Sequence, residues 1–302
     1  MKMFTAPKLK VGDTIGIFCA SHIYTDKWYA RDLWTLERLG FKVKVGKNAR
    51  LDTYGYAASS EERAADINAL VTDDEVKMLL FGGGAGAAEV LPFIDFENIR
   101  KHPKLFSSYS DGTSILNTIY AQTGLVTYYG QGPGEFAELR QYDWEQFKFH
   151  FMGDGIGQFF GDSKWKTLRG GKCSGTLIGG YTSVFAMLQG SKYFRYDDNR
   201  KYLLFLEDHE KLQRPAAVAT CMAYIEQSAF MDKVVGLIFG HYATEVPEVL
   251  FGVLTRFAER HNIPAVYTDD FGHGFRHAIL PIGMNATLDA NAHTLVFEGV
   301  AE

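Results

Sequence analysis

The chain has 302 residues, 46% apolar and 22% charged, with a formal net charge of −5, the balance of a globular protein long enough for two domains. Charges of both signs are interspersed and no basic stripe is visible, which argues against nucleic acid as a main partner. No apolar run approaches the ~20 residues that a membrane span needs, so no membrane partner is expected either. The three cysteines, Cys19, Cys173 and Cys221, are odd in number and far apart, which suits neither a disulfide framework nor a thiolate zinc site. Residues 1–8 lack the apolar core of a signal peptide, so a cytoplasmic location is the expectation.

The first half alternates strand and helix patterns. Residues 14–19 (TIGIFC) predict a buried strand, and residues 30–39 an amphipathic helix stopped by Gly40. Residues 41–45 predict a second strand. A helix over 59–70 opens with Ser59 followed three residues later by Glu62, a capping box. A third strand over 76–81 runs into the glycine-rich stretch Gly82-Gly83-Gly84-Ala85-Gly86. Leu105-Phe106 leads into Ser107-Ser108-Tyr109-Ser110-Asp111-Gly112-Thr113, followed by a helical run over 114–120. Repeated β–α–β units imply a mainly parallel sheet, with loops at the carboxyl ends of its strands available for function. Residues 131–171 change character and read as the crossing between domains. Beyond them come strands at 175–180, 202–206, 234–240 and 266–268, interrupted by one helix over 216–227. The expectation is a Rossmann-like α/β domain over residues 1–160 and a smaller β-rich domain over 161–302.

Serine on a sharp strand-to-helix turn has its hydroxyl exposed and unpaired helix N–H groups beside it, which suits a nucleophile. Ser108-x-Ser110-x-Gly112 approximates that pattern, although Ser, Asp and Thr are also ordinary helix caps. A serine nucleophile needs a base, and the base an orienting acid. Glu207 ends an apolar strand, where a carboxylate is held rigidly; the alternative is a solvated acidic turn with Asp208 and Glu210. His273, between Gly272 and Gly274 in a strand-end loop, is the candidate base, with His22 and His241 as competitors. His273 and His277 have the four-residue spacing of metal ligands on a helix, but the glycines weaken a helix there and no zinc-protease glutamate follows, so no metal is expected. The glycine run fits the dinucleotide fingerprint poorly, and its other use is to offer bare N–H groups to an anionic oxygen.

Three strand-end loops in the order Ser, Glu, His resemble the LD-carboxypeptidases, the serine peptidase family that includes the microcin C immunity peptidase. The resemblance covers nearly the whole chain. It rests on Val11-Gly12-Asp13-Thr14-Ile15-Gly16, Gly55-Tyr56-Ala57, Glu62-Arg63-Ala64-Ala65-Asp66-Ile67-Asn68, Leu91-Pro92-Phe93-Ile94-Asp95, Tyr109-Ser110-Asp111, Gly175-x-Leu177-x-Gly179-Gly180, Leu204-Phe205-Leu206-Glu207-Asp208, Phe271-Gly272-His273 and Leu280-Pro281-Ile282-Gly283. The resemblance implies Ser110 as nucleophile, His273 as general base and Glu207 as its orienting acid. It further implies an oxyanion hole from the N–H groups of Gly84 and Asp111, substrate contacts from Gly83 and Ala85, a homodimer, and no metal or organic cofactor. The implied reaction is hydrolysis of an amide near a terminal carboxylate through an acyl-enzyme, with murein tetrapeptides in peptidoglycan recycling as the first substrate expectation and aminoacyl- or peptidyl-nucleotide toxins as the alternative; an inactive ligand-binding relative is the third. Trp165, Tyr181 and Phe185 are candidates to stack on a nucleotide base. Two departures stand out. Ser108 replaces a family glycine, a strain if that position requires positive φ, and residues 82–86 lack the arginine and tyrosine that murein-recycling members carry there.

Overall fold

A computed structural model describes residues 2–23, 25–137 and 140–300. In the first half the strands are β1 (Thr14–Phe18), β2 (Lys42–Val45), β3 (Val76–Phe81), β4 (Leu105–Ser108) and β5 (Thr127–Tyr129). Their covering helices are α1 (Asp26–Arg38), α2 (Ser60–Thr72), α3 (Phe96–Lys101) and α4 (Thr113–Thr123). The capping box forms as the sequence predicts: Ser59 Oγ accepts from the Glu62 N–H at 3.2 Å, and Glu62 Oε2 from the Ser59 N–H at 2.8 Å.

The stretch after β5 carries α5 (Gln141–Phe147), a π-helical turn over Lys148–Met152, and the short strands β6 (Gly157–Gln158) and β7 (Lys166–Arg169). Then follow β8 (Lys172–Tyr181), α6 (Thr182–Leu188), β9 (Tyr202–Glu207), α7 (Pro215–Glu226), β10 (Val234–His241), α8 (Glu248–Arg260) and β11 (Ala265–Gly272). The chain ends in β12 (Leu280–Ile282), β13 (Asn285–Asp289) and β14 (Thr294–Gly299). The second half thus holds two helices, α6 and α8, beyond the one expected there.

Two mixed sheets result. The first has the order β12-β5-β4-β3-β1-β2, parallel except for β12, which returns from late in the chain to pair antiparallel with β5. The second has the order β6-β14-β13-β8-β9-β10-β11-β7. Its centre, β8 to β11, is parallel and its flanks antiparallel. All six residues of β9 are buried, as a parallel strand covered on both faces requires, whereas β13 and β14 alternate as strands with one wet face do. The sequence signal of α6 and α8 is weak beside that of the strands: α6 has only seven residues, and α8 follows the loop after β10 without a side-chain cap. Among the described residues no helix is long and apolar enough to cross a membrane.

The two sheets meet where α4 lies against β8. Asn117 Nδ2 donates to the Gly179 carbonyl at 2.8 Å, and the Tyr181 N–H donates to Thr113 Oγ1 at 2.9 Å. This approach needs glycine at 180, where a β-carbon would lie 2.4 Å from Thr113 Oγ1, while glycine at 179 is needed by the neighbouring strand, a β-carbon there lying 1.7 Å from the Phe205 carbonyl oxygen of β9; both residues have positive φ. Gly179→Ala is therefore expected to cost roughly 2–4 kcal/mol of stability, since neither backbone can yield; urea unfolding of the variant against wild type checks it.

Candidate active site

Strand β4 ends at Ser108, Tyr109 remains extended at φ −147°, and Ser110 takes φ +55° before α4 begins. Ser110 is one of the few non-glycine residues at positive φ, a strained conformation that throws its hydroxyl out of the turn. The strain therefore falls on Ser110 and not on Ser108, contrary to the concern raised by the missing family glycine. Ser108 lies in the strand, and its hydroxyl fills the space beside Gly112, where a β-carbon would come within 2.2 Å of Ser108 Oγ. Gly83 makes a similar approach from the glycine loop: its β-carbon would sit 2.7 Å from that of Ser110.

The second sheet brings the other two groups. Glu207 closes β9 with none of its side chain exposed, and His273 follows β11 directly. His273 Nε2 lies 2.9 Å from Ser110 Oγ, and His273 Nδ1 lies 2.9 Å from Glu207 Oε2. With the Nδ1 proton directed at the carboxylate, Nε2 is left to accept the serine hydroxyl. Gly272, at φ +106°, passes so close that its β-carbon would lie 2.9 Å from Glu207 Oε2. Burial by itself would depress the imidazole, but the charge and hydrogen bond of Glu207 more than offset it, so His273 is held above the ordinary histidine range. Next to it, the Asp208 carboxyl is pushed up to about 7, chiefly by burial, with the Glu207 charge adding to the rise.

Tyr129, which sequence reading did not single out, closes the circle. Its buried hydroxyl donates to Glu207 Oε1 at 2.5 Å and accepts the Ser110 N–H at 2.9 Å. Asp111 ties the serine turn to its other flanks: Oδ2 accepts from Ser21 Oγ and from the Ala87 N–H, each at 2.7 Å. Burial raises this carboxyl, a rise only partly countered by those two donors.

A cavity of about 540 Å³ opens over Ser110 and His273. Gly83 and Gly84 line it, as do His22, Arg31, Asp32, Tyr109 and Glu135; Ala85, expected there, is exposed and lies outside its wall. The Arg31 guanidinium reaches the wall from α1, with Nη2 placed 3.9 Å from where a Gly134 β-carbon would be. Burial raises the Glu135 carboxyl. No periodicity or motif in the sequence links Arg31 or Glu135 to the serine turn, because both arrive by tertiary packing.

Neither competitor histidine bonds Ser110, although His22 lines the same cavity. His241 Nδ1 bonds Asp269 at 2.8 Å, and His22 stands against Gly84 and not at Ser110 Oγ. His277 lies against Tyr109, ring centroids 6.3 Å apart, while both nitrogens of His273 are engaged, so the two do not act as paired metal ligands. Of the three aromatic candidates, Tyr181 comes nearest the site: its buried ring packs 5.1 Å from that of His273, behind the cavity wall. Phe185 is fully buried against Phe194 and Phe230. Trp165 lines a separate cavity with Phe159 and His293 and bonds Asp270 through Nε1.

Comparison with known proteins identifies two matched segments of the chain. Residues 15–130 match the LD-carboxypeptidase N-terminal domain and residues 174–288 the LD-carboxypeptidase C-terminal domain. A probable murein peptide carboxypeptidase from Bacillus subtilis (strain 168) is 31% identical, over 97% of this chain and 94% of that protein. The microcin C7 self-immunity protein MccF of Escherichia coli is 28% identical, over 94% of this chain and 92% of that protein. A solved structure of MccF in complex with glutamyl sulfamoyl guanosine superposes with a TM-score of 0.87 at 26% identity, covering 98% of this chain and 99% of that one.

The His273 environment makes a direct expectation. In an NMR titration its imidazole should lose its proton above the ordinary ~6.5, and Glu207→Gln should bring that midpoint down, because the raising charge is gone while burial remains. Below the unfolded-state value the protonated pair contributes its full share of stability, which is lost as pH rises through the folded-state value.

Proposed function

The chain belongs to the LD-carboxypeptidase family, and we propose that it is a serine-type carboxypeptidase that hydrolyses the amide next to the terminal carboxylate of a short murein peptide. The observation that carries this reading is the unbroken Ser110–His273–Glu207 hydrogen-bond chain at the floor of an open cavity.

The chemistry follows from the roles. Ser110 Oγ attacks the carbonyl carbon as its proton passes to His273 Nε2, and the carbonyl electrons move onto oxygen. Glu207 stabilises the imidazolium that forms. The backbone N–H groups of Gly84 and Asp111 are the proposed donors to the oxyanion, since the Ser110 N–H is committed to Tyr129. Collapse breaks the C–N bond, and His273 returns the proton to the departing amine, which leaves as an amino acid. Water, deprotonated by His273, then cleaves the acyl–Ser110 ester.

Arg31, whose Nε donates to Asp32 Oδ1 at 3.0 Å, is proposed to stand in for the arginine that residues 82–86 lack. Its guanidinium, at the wall of the same cavity, is the proposed partner of the substrate's terminal carboxylate, a bidentate match. A second reading, cleavage of an aminoacyl- or peptidyl-nucleotide, is supported by the likeness to MccF, which has been solved with glutamyl sulfamoyl guanosine. We also propose a cytoplasmic homodimer, in keeping with peptidoglycan recycling.

Ser110→Ala should lower kcat on the true substrate by about four powers of ten while leaving the fold intact; parallel incubation with an L,D-tetrapeptide and an aminoacyl-sulfamoyl adenosine identifies that substrate, and turnover of the nucleotide alone would displace the murein reading. Arg31→Ala should raise KM for a carboxylate-terminated peptide by roughly tenfold or more with kcat little changed. Steady-state kinetics with the peptide and its C-terminal amide, which should lose the difference between wild type and variant, check it.

A further inference from the structure

Ser110 and Glu207 sit on different sheets, in parts of the chain almost a hundred residues apart, and the Tyr129 hydroxyl touches both. Tyr129 is the last residue of β5, paired in register with Ser108 at the end of β4, so its Cα is fixed beside the serine turn. From there the side chain crosses to the end of β9. Its oxygen accepts the Ser110 N–H at 2.9 Å and its proton goes to Glu207 Oε1 at 2.5 Å. The side chain is fully buried, with its ring 5.6 Å from that of Phe205. Water therefore cannot replace either bond when the hydroxyl is removed.

Each bond has a consequence. A backbone N–H that is held by a side chain keeps Ser110 at φ +55°, a conformation that a serine leaves readily when nothing opposes it. The same bond turns this N–H away from the cavity, so the oxyanion site has to be built from other donors. At the other end, the phenolic O–H occupies the Glu207 oxygen that His273 does not use, leaving Oε2 to face Nδ1. The carboxylate thus has one orientation, and through it so does the imidazole.

We propose that Tyr129 is a positioning residue that couples the nucleophile's backbone to the orienting carboxylate, setting the Ser110 Oγ–His273 geometry through a single hydroxyl group. This rests on the reading of Ser110 as the nucleophile. Tyr129 does not touch substrate and gives up no proton in the reaction; removing its hydroxyl loosens both ends of the Ser–His–Glu chain at once.

A fluorophosphonate probe tests it without knowledge of the natural substrate. Wild-type protein should become labelled at Ser110, located by peptide mass spectrometry, and absence of that label overturns the nucleophile reading itself. Tyr129→Phe keeps the ring and its packing. Its second-order labelling rate should fall by roughly one to two powers of ten, and on a cleaved peptide kcat should fall while KM stays within about twofold. A variant that melts like wild type and is labelled as fast overturns the positioning role while leaving Ser110 as nucleophile. Should Tyr129→Phe fold poorly, 3,5-difluorotyrosine at 129 keeps shape and hydroxyl but makes the oxygen a weaker acceptor for the Ser110 N–H. A slower labelling rate then supports the coupling, and an unchanged rate overturns it.

Discussion

Glu207 carries a carboxylate with no surface open to water, at the seam between two sheets. An ionised group in such a place is tolerated only when its oxygens are occupied by donors. Tyr129 occupies one oxygen from the first sheet; His273 occupies the other from the second, through Nδ1 and, at 3.3 Å, through its own backbone N–H. The surrounding structure is arranged to let those donors in. Gly240 and Gly272 are the gaps through which β10 and β11 pass the Glu207 side chain, since a β-carbon at either would approach it to 2.9 Å. The Tyr129 bond to this one buried carboxylate ties the first sheet to the second.

The same seam explains why the strained residue is Ser110. A left-handed serine is costly, and it persists because its neighbours over-determine it. The Ser110 N–H is held by Tyr129, its carbonyl accepts from Thr113 Oγ1 at 2.6 Å, and its β-carbon is hemmed in by Gly83. Thr113 in turn receives the Tyr181 N–H from β8, the strand that pairs Tyr181 with Glu207 in register. Ser110 and Glu207 are linked through a side chain by Tyr129 and, through Thr113, by the backbone of β8. Because both routes run through buried, water-excluded bonds, the geometry is set before any substrate enters, which is the condition for electrostatic preorganisation.

Charge around the cavity is divided. Asp32 and Glu135 are acidic, and Arg31 is the guanidinium at the wall. Arg31 Nε is ion-paired with Asp32 Oδ1 at 3.0 Å, so the wall carries a charge pair beside Glu135. Tyr109 packs edge-on to His273, with ring centroids 5.4 Å apart, and lies in the field of Glu135, which raises its phenol. The carboxylate at 135 and the imidazole at 273 are thus felt together by whatever occupies the space between them.

Much of this was legible in the amino-acid sequence. Local rules gave β1 to β4, the Ser59 capping box, the strand-to-helix turn at Ser110 and the strand-end positions of Glu207 and His273, because each depends on residues within a few positions of one another. The order Ser, Glu, His pointed to the family, and the resemblance supplied the role of each residue. Other features had no local signal. Tyr129 lies in a short apolar strand where any tyrosine reads as core. Arg31 lies in a helix that by sequence is merely amphipathic, and Ala85 falls outside the cavity although Gly82, Gly83 and Gly84 line it. Ser108 invited a concern about positive φ that belonged two residues on. Sequence alone determined which groups could do chemistry and on which turns they stand. Only the tertiary structure decided which of them share a hydrogen-bond chain, because that depends on the close approach of two sheets around one buried carboxylate, a constraint between residues far apart in the chain.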